Sequence, residues 1–243
     1  MKTYTGAPYP ADTHSPLQRR LLRNASSPAR APQSDALRLQ APALVPEVHL
    51  FLAEDAVLLW ARLEAEAGHP LPAPFWATAW AGGQGLARYV LDHPQLVAGR
   101  RVLDLASGSG LVAIAAAHAG AAEVVANDID PYAVAAMHAN ANANGVSVHI
   151  SAEDLTGGDG GEVDLVLAGD CLYSGDMAAR MLPFLGRAMR RGATVLLGDP
   201  QRGYAPAGLL RTLATYPLIQ PSAVGDQQEW VSVMTPVAVE LAS

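Results

Sequence analysis

Two carboxylates on consecutive apolar segments, separated by a glycine-rich turn and a helix, are the residues of this chain best placed to do chemistry. Val102-Leu103-Asp104-Leu105-Ala106 runs into Ser107-Gly108-Ser109-Gly110, and an apolar stretch of helical composition, Leu111–Ala119, follows. That order reads as a buried strand, a tight turn and a helix. Small residues let a ligand approach the backbone there, and the helix behind aims unpaired N–H groups at the same space. Asp104, near the strand end, is placed to hold a cationic ligand group. A second apolar strand, Val124-Val125-Ala126, ends in Asn127-Asp128-Ile129-Asp130. An acid about twenty residues beyond the turn, at the end of the next strand, suits a ribose, because a carboxylate accepts hydrogen bonds from both hydroxyls. Asp104, Ser107, Gly108, Gly110 and Asp128 therefore outline a nucleoside pocket.

Charge discriminates between nucleosides. Gly108-Ser109-Gly110-Leu111-Val112-Ala113 satisfies the dinucleotide pattern G-x-G-x-x-A, so a nicotinamide dinucleotide is one reading. Its pyrophosphate would have to sit close to Asp104, and two anions in a poorly solvated site repel. S-adenosylmethionine instead carries an α-amino cation and a sulfonium, and is the favoured ligand. An empty structural turn is the third reading.

Acids also end later strands: Glu153-Asp154, Gly169-Asp170 and Gly198-Asp199. Turn or N-cap aspartates are the ordinary alternative for any one of them. Glu153 or Asp154 could accept from an adenine amine. Asp170-Cys171-Leu172-Tyr173 follows the fourth strand, over the expected methyl group, where Asp170 can hold an ammonium and Tyr173 can wall the channel with its ring face. Cys171 reads as a small core residue. Trp76 suits either the core of an N-terminal cap or a lid over the ligand, whereas Trp80 and Trp60 are expected in the core.

The elements that must position these groups alternate. Strands are expected at 101–105, 123–127, 146–150, 163–168 and 194–197, with helices at 86–91, 111–119, 131–143 and 177–191 between or before them. Short apolar strands alternating with helices predict a doubly wound, mostly parallel α/β sheet of Rossmann-like type. A helix is expected over 206–215, then a C-terminal antiparallel hairpin from segments 218–223 and 229–239. Upstream, Glu47–Ala67 reads as a helix stopped by Gly68 and Pro70, so residues 41–95 form a helical cap and 96–243 the ligand-binding domain. Residues 1–40, rich in Pro, Ser, Ala and Arg, are expected to be a disordered tail. Within it Leu17–Arg23 could form a basic helical turn, and an organelle transit segment is an alternative reading.

Composition narrows the function classes. Of 243 residues half are apolar, enough for a substantial core. Net charge is −7 and Lys2 is the only lysine, which disfavours nucleic acid and fits a basic partner. One cysteine excludes an internal disulfide and a Cys-rich zinc site, and the seven histidines show no H-x-x-x-H spacing, so no metal is expected. No apolar run approaches the ~20 residues that cross a bilayer. A secretory leader, a membrane contact and oligomerisation are not expected; a cytoplasmic monomer is.

Taken in order, Pro74-Phe75-Trp76-Ala77, Gly82-Gly83-Gln84-Gly85-Leu86-Ala87-Arg88-Tyr89, Val102–Gly110, Asn127-Asp128-Ile129-Asp130-Pro131, Gly169-Asp170-Cys171-Leu172-Tyr173 and Gly198-Asp199-Pro200 resemble the lysine-specific group of seven-β-strand methyltransferases. The likeness is strongest to the electron-transfer flavoprotein beta-subunit lysine methyltransferases and their bacterial relatives, and spans roughly Val45 to Val237. It implies a seven-stranded sheet, S-adenosylmethionine as cofactor, and a cofactor lining of Trp76, Asp104, Gly108, Asp128 and Asp154. It places Asp170 and Tyr173 in a D-x-x-Y substrate motif. The implied reaction is methylation of lysine amines of a protein, with electron-transfer flavoprotein beta subunit the favoured substrate and a ribosomal protein another. A small-molecule N-methyltransferase, acting on a nicotinamide-like amine, and a non-catalytic cofactor-fold module are the competing readings.

Overall fold

The computed structural model describes residues 37–206, 208–220 and 227–237. The expected tail lies outside these residues as far as position 36, including the basic stretch Leu17–Arg23. Its assigned end at Gln40 is too late. Leu37–Gln40 form strand β1, paired antiparallel with β2, Leu50–Ala53.

The segment expected to be one helix from Glu47 is therefore divided. Leu50 and Leu52 are buried while Phe51 and Ala53 are half-buried, a period of two that belongs to a strand. Helix α1 starts only at Ala56 and runs to Ala67. The Asp55 carboxylate caps it by accepting the N–H groups of Val57 and Leu58, and Gly68, at φ +73°, ends it. A 3-10 turn at Phe75–Ala77 leads into α2, Ala81–Asp92.

The remaining elements are β3 (Arg101–Leu105), α3 (Leu111–His118), β4 (Glu123–Asn127), α4 (Pro131–Ala143), β5 (His149–Ser151), β6 (Leu165–Gly169), α5 (Gly175–Arg190), β7 (Thr194–Asp199), β8 (Leu210–Gln220) and β9 (Gln227–Pro236). Seven of the strands make one sheet in the order β5-β4-β3-β6-β7-β9-β8. The first five are parallel; β9 runs antiparallel to β7, and β8 antiparallel to β9. The chain thus steps outward from β3 to β5 and then crosses back to β6 on the other side of β3. That reversal opens a crevice beyond the carboxyl ends of β3 and β6, where open α/β sheets bind ligands.

The helix expected over 206–215 is instead largely strand. From Leu210 the chain pairs with β9, beginning with Leu210 opposite Pro236. Thr212, Thr215 and Tyr216 suit a pleated edge, and pairing across the sheet overrides the local helical composition. Residues 221–223 and 238–239 of the expected hairpin lie outside the described residues.

Side chains alternate across the sheet. Val102, Leu165, Leu167 and Leu196 pack with α2 and α3, whereas Leu103, Leu105, Val166, Ala168, Val195 and Leu197 pack with α5 through Met181, Phe184, Leu185 and Ala188. Both faces are covered, which is why the central strands read as continuous apolar runs. Two asparagines of α4 tie the N-terminal hairpin down. Asn140, wholly buried, accepts the Phe51 N–H at 2.8 Å and donates to the Ser109 carbonyl at 2.7 Å. Asn144 accepts from and donates to the backbone of His49.

Helix α2 approaches the sheet more closely than side chains would allow. A Cβ on Gly198 would lie 2.0 Å from the Gly82 carbonyl oxygen, and one on Gly169 would lie 2.7 Å from the Gly83 Cα. Gly169 and Gly198 are partners in the β6–β7 register, so the helix start rests on bare backbone at two neighbouring strand ends. Gly198→Ala is expected to be destabilising by about 1–3 kcal/mol, as overpacking is, lowering the melting temperature by roughly 2–10 °C. Gly175→Ala, whose Cβ meets nothing within 4 Å, serves as the control. Equal melting of the two variants would show that the helix-to-sheet contact is loose.

Candidate active site

The turn after β3 owes its shape to positive φ at Ala106 (54°), Gly108 (54°) and Gly110 (84°). Only glycine adopts that region without strain, so Ala106 is held there by its surroundings. Beneath the turn Asp104 is 1% exposed. It accepts from the Ser107 hydroxyl and, at 3.0 Å, from the Ala113 N–H in the first turn of α3. Burial pushes its carboxyl up to about 7; the Ser107 and Ala113 bonds oppose this, and Asp128 nearby adds to it.

Asp128, immediately past β4, reaches the same turn. It accepts the Gly108 N–H at 2.9 Å and the Asp130 N–H at 3.0 Å. Burial raises its pKa also. Buried Asn127 links the next strand end, donating to the carbonyls of Ser151 and Glu153. The ends of β3, β4 and β5 are therefore one hydrogen-bonded rim.

Asp170 stands on the other side of the crevice. It has φ +53°, and its N–H donates to the Gly198 carbonyl at 2.8 Å. Its carboxylate accepts the Gly83 N–H at 2.8 Å and pairs with the Arg202 guanidinium. Burial raises the Asp170 pKa and the Arg202 pairing opposes the rise. The cleft is lined by Asp104, Ser107 and Gly108 on one side, Gly83, Gly169 and Asp170 on the other, with Thr78 and Trp80 above. An aromatic rim continues outward. Phe75 meets Trp80 edge-on at 5.8 Å and Tyr173 at 5.9 Å, and all three are substantially exposed.

The structure brings Asp104, Ser107, Gly108 and Asp170 to one cleft; Asp128 reaches its turn through the Gly108 N–H, and Gly110 lies outside the lining, where a Cβ would meet Met137. It separates others. Trp76 is 2% exposed and stacks on Tyr132 within a small core built from α1 and α4, so its side chain is not a lid; only its backbone abuts Gly108. Trp80, expected in the core, is 40% exposed at the cleft. The two exchange roles because the 3-10 turn points Trp76 inward, while Trp80 spans back to donate to the Phe75 carbonyl at 2.7 Å.

Asp154 caps the 3-10 turn Leu155–Gly157 and pairs with Arg180 at 2.7 Å, outside the cleft lining. The Thr156 hydroxyl and N–H, with Arg180, hold its carboxyl below the usual range. Cys171 is buried among apolar side chains, and burial pushes its thiol well up, so it is no nucleophile. Asp199 was among the acids expected at strand ends, whereas Gly83 and Arg202 were not singled out as site groups from sequence. The one local signal is a cation three residues beyond an acid-bearing strand end. Among the described residues there is no group of side chains able to hold a metal ion, and no helix long and apolar enough to cross a membrane.

The chain is similar in sequence to known methyltransferases. A family model described as Ribosomal protein L11 methyltransferase (PrmA) matches residues 88–172, from within α2 to just past Asp170. The electron transfer flavoprotein beta subunit lysine methyltransferase of Xenopus laevis is 40% identical over 189 residues, covering 76% of this chain and 75% of that protein. Its counterpart in Rattus norvegicus is 38% identical over 186 residues, covering 74% and 72%. The ribosomal protein L11 methyltransferase of Symbiobacterium thermophilum is 33% identical over 136 residues, covering 56% and 43%.

The raised pKa of Asp104 has a sign for stability. Unfolded, the carboxyl titrates near ~3.9; folded, it titrates at about 7. The native state therefore binds the proton more tightly, and the stability this contributes is full below the unfolded value and lost as pH rises to about 7. Asp104→Asn keeps the acceptor for Ser107 and Ala113 without the buried charge. Its melting temperature relative to the parent should rise between pH 5 and pH 8; a pH-independent difference would show that Asp104 stays ionised throughout.

Proposed function

The chain belongs to the electron transfer flavoprotein beta subunit lysine methyltransferase family, and from that footing we propose that it methylates a lysine side chain of a protein from S-adenosylmethionine, with electron transfer flavoprotein beta subunit as the substrate its relatives' names indicate. The observation that carries this reading is the pairing of two anionic seats across one crevice: Asp104 under the glycine turn, and Asp170 at the end of β6 beneath exposed aromatic rings.

The first seat fits the methyl donor. The turn leaves room beside its backbone, a Cβ on Gly108 meeting nothing nearer than 3.8 Å. Asp104 is an anion-forming group in a nearly dry place, suited to an α-ammonium and hostile to a pyrophosphate. Beyond its bonds to backbone N–H groups, Asp128 keeps acceptor capacity for ribose hydroxyls. When bound, S-adenosylmethionine supplies a methyl group on a sulfonium, activated for in-line displacement by an amine.

The second seat serves the acceptor. A free lysine titrates near ~10.4, so it arrives as an ammonium. Asp170 attracts that cation, and the Trp80 and Tyr173 rings guide its alkyl stem and ammonium. The Gly83 N–H fixes one carboxylate oxygen of Asp170, so the direction of approach is set by the backbone of α2. The ammonium gives its proton to solvent water before the amine attacks, and the N–C bond then forms as the donor's S–C bond breaks. Asp170 acts by orientation and by excluding water from the reacting amine, which is where most of the rate for such a displacement arises. The net charge of −7 favours encounter with a lysine-bearing surface.

Two mutants measured for both donor affinity and methyl transfer separate the seats. Asp104→Ala removes a charged hydrogen-bond acceptor and should weaken S-adenosylmethionine binding about ten- to a hundredfold by calorimetry. Asp170→Asn should leave that affinity nearly unchanged while transfer to electron transfer flavoprotein beta subunit falls by ~100-fold or more. Tight binding of a nicotinamide dinucleotide with no response to S-adenosylmethionine would end the reading. Collapse of donor affinity with transfer intact in Asp170→Asn would reverse the assignment of the seats.

A further inference from the structure

The acceptor seat already holds a cation of the protein's own. Arg202 donates through Nη1 to Asp170, and its guanidinium carbon lies 5.8 Å from the centre of the Trp80 ring. It therefore uses both features an incoming lysine ammonium would use, the carboxylate and the aromatic face. The pair is not a loose surface contact: the Asp170 side chain is 11% exposed and that of Arg202 28%. Nor is the loop that carries Arg202 free to drift. The Arg202 N–H donates to Asp199 at 3.0 Å, and Gln201, at φ +64°, donates from its side chain to Ser232 at 3.0 Å.

Beside this pair is a second carboxylate with capacity to spare. Asp199 is 2% exposed, and its Oδ2 is buried with no hydrogen-bond partner. A buried carboxylate oxygen left unpaired is unfavourable, and a cation close by is the group that would satisfy it. Asp199 ends β7 next to β6, which Asp170 follows, and Arg202 is tethered to Asp199 through its backbone N–H.

We propose that Arg202 is an acceptor-specificity latch: its guanidinium holds the lysine seat on Asp170 in the resting enzyme, and the substrate lysine displaces it toward the unpaired oxygen of Asp199. This rests on the assignment of Asp170 as the acceptor seat. An amine with no other contact to the enzyme would have to compete with Arg202 alone. A lysine on a docked protein surface competes with the help of its surrounding contacts, so the latch selects protein lysines over free amines. Arg202 is a positioning residue and takes no part in the chemical step.

Steady-state kinetics on the full chain test it, with the protein substrate and with free lysine methyl ester as acceptors. Arg202→Met keeps the bulk and removes the competitor. It should lower KM for both acceptors by roughly three- to tenfold, more for the free amine, with donor affinity unchanged. Asp199→Asn weakens the landing place and should raise KM for the protein substrate. In the double variant the Asp199 effect should vanish, because no guanidinium remains to be received. Unchanged or raised KM in Arg202→Met, or additive effects in the double variant, would overturn the latch. Asp170→Asn distinguishes the two levels. If it abolishes transfer while Arg202→Met leaves KM unmoved, the latch alone is wrong; if it retains transfer, the acceptor seat is misassigned and the latch falls with it.

Discussion

The contact of bare backbone on bare backbone between the start of α2 and the ends of β6 and β7 is the constraint on which the site depends. Gly82 and Gly83 can lie against Gly169 and Gly198 because Gly82, Gly169 and Gly198 carry no side chain; a Cβ on Gly83 would meet only Val112, at 4.0 Å. That closeness brings the Gly83 N–H to Asp170 and sets Trp80, the residue before α2, over the cleft. A methyl group on Gly82, Gly169 or Gly198 would lift the helix from the sheet. The same contact continues toward the sheet edge, where a Cβ on Gly85 would stand 2.5 Å from a Val231 methyl on β9. The run Gly82-Gly83-Gln84-Gly85 weakens a helix by its intrinsic propensity, and the packing offsets that weakness.

Around this contact the molecule gathers negative charge where it can least be solvated. Asp104, Asp128, Asp170 and Asp199 all have pKa values raised by burial, and all are partly compensated by backbone N–H groups. Such an arrangement works against folding stability and in favour of binding cations. The native state is best relieved by a bound ammonium, or by the protein's own guanidinium. Function and instability are here the same electrostatic fact, as expected where a site must be preorganised before its ligand arrives.

The N-terminal layer contributes by holding the glycine turn from behind. Asn140 joins the Ser109 carbonyl to the β1–β2 hairpin, and Gln84 joins α2 to the same region by accepting the Leu44 N–H at 3.2 Å. Trp76 fills the space between that layer and α4. The cap is thus mechanically continuous with the glycine turn, and it sets Thr78 and Trp80 over the cleft.

Local order was legible from the amino-acid sequence by itself. β3, its turn, α3 and β4 follow one another within thirty residues, and each announces itself through apolar runs, glycines or an N-capping Asp130-Pro131. Asp104, Asp128 and Asp170 were readable for the same reason: an acid at a strand end needs only the strand to be placed. The tertiary structure alone decided what depended on distant partners. β2 is a strand because it pairs with β1, and Asn140, some ninety residues on, accepts the outward Phe51 N–H while Asn144 holds His49 just before it. β8 is a strand because β9 pairs with it. Trp76 and Trp80 have the same residue type and differ only in which side of a short turn faces the core. Arg202 carries no motif, and its meaning comes from the 32 positions of chain that the fold removes between it and Asp170. Periodicity records which face of an element is apolar; it holds no information about which charge from another loop will be waiting there.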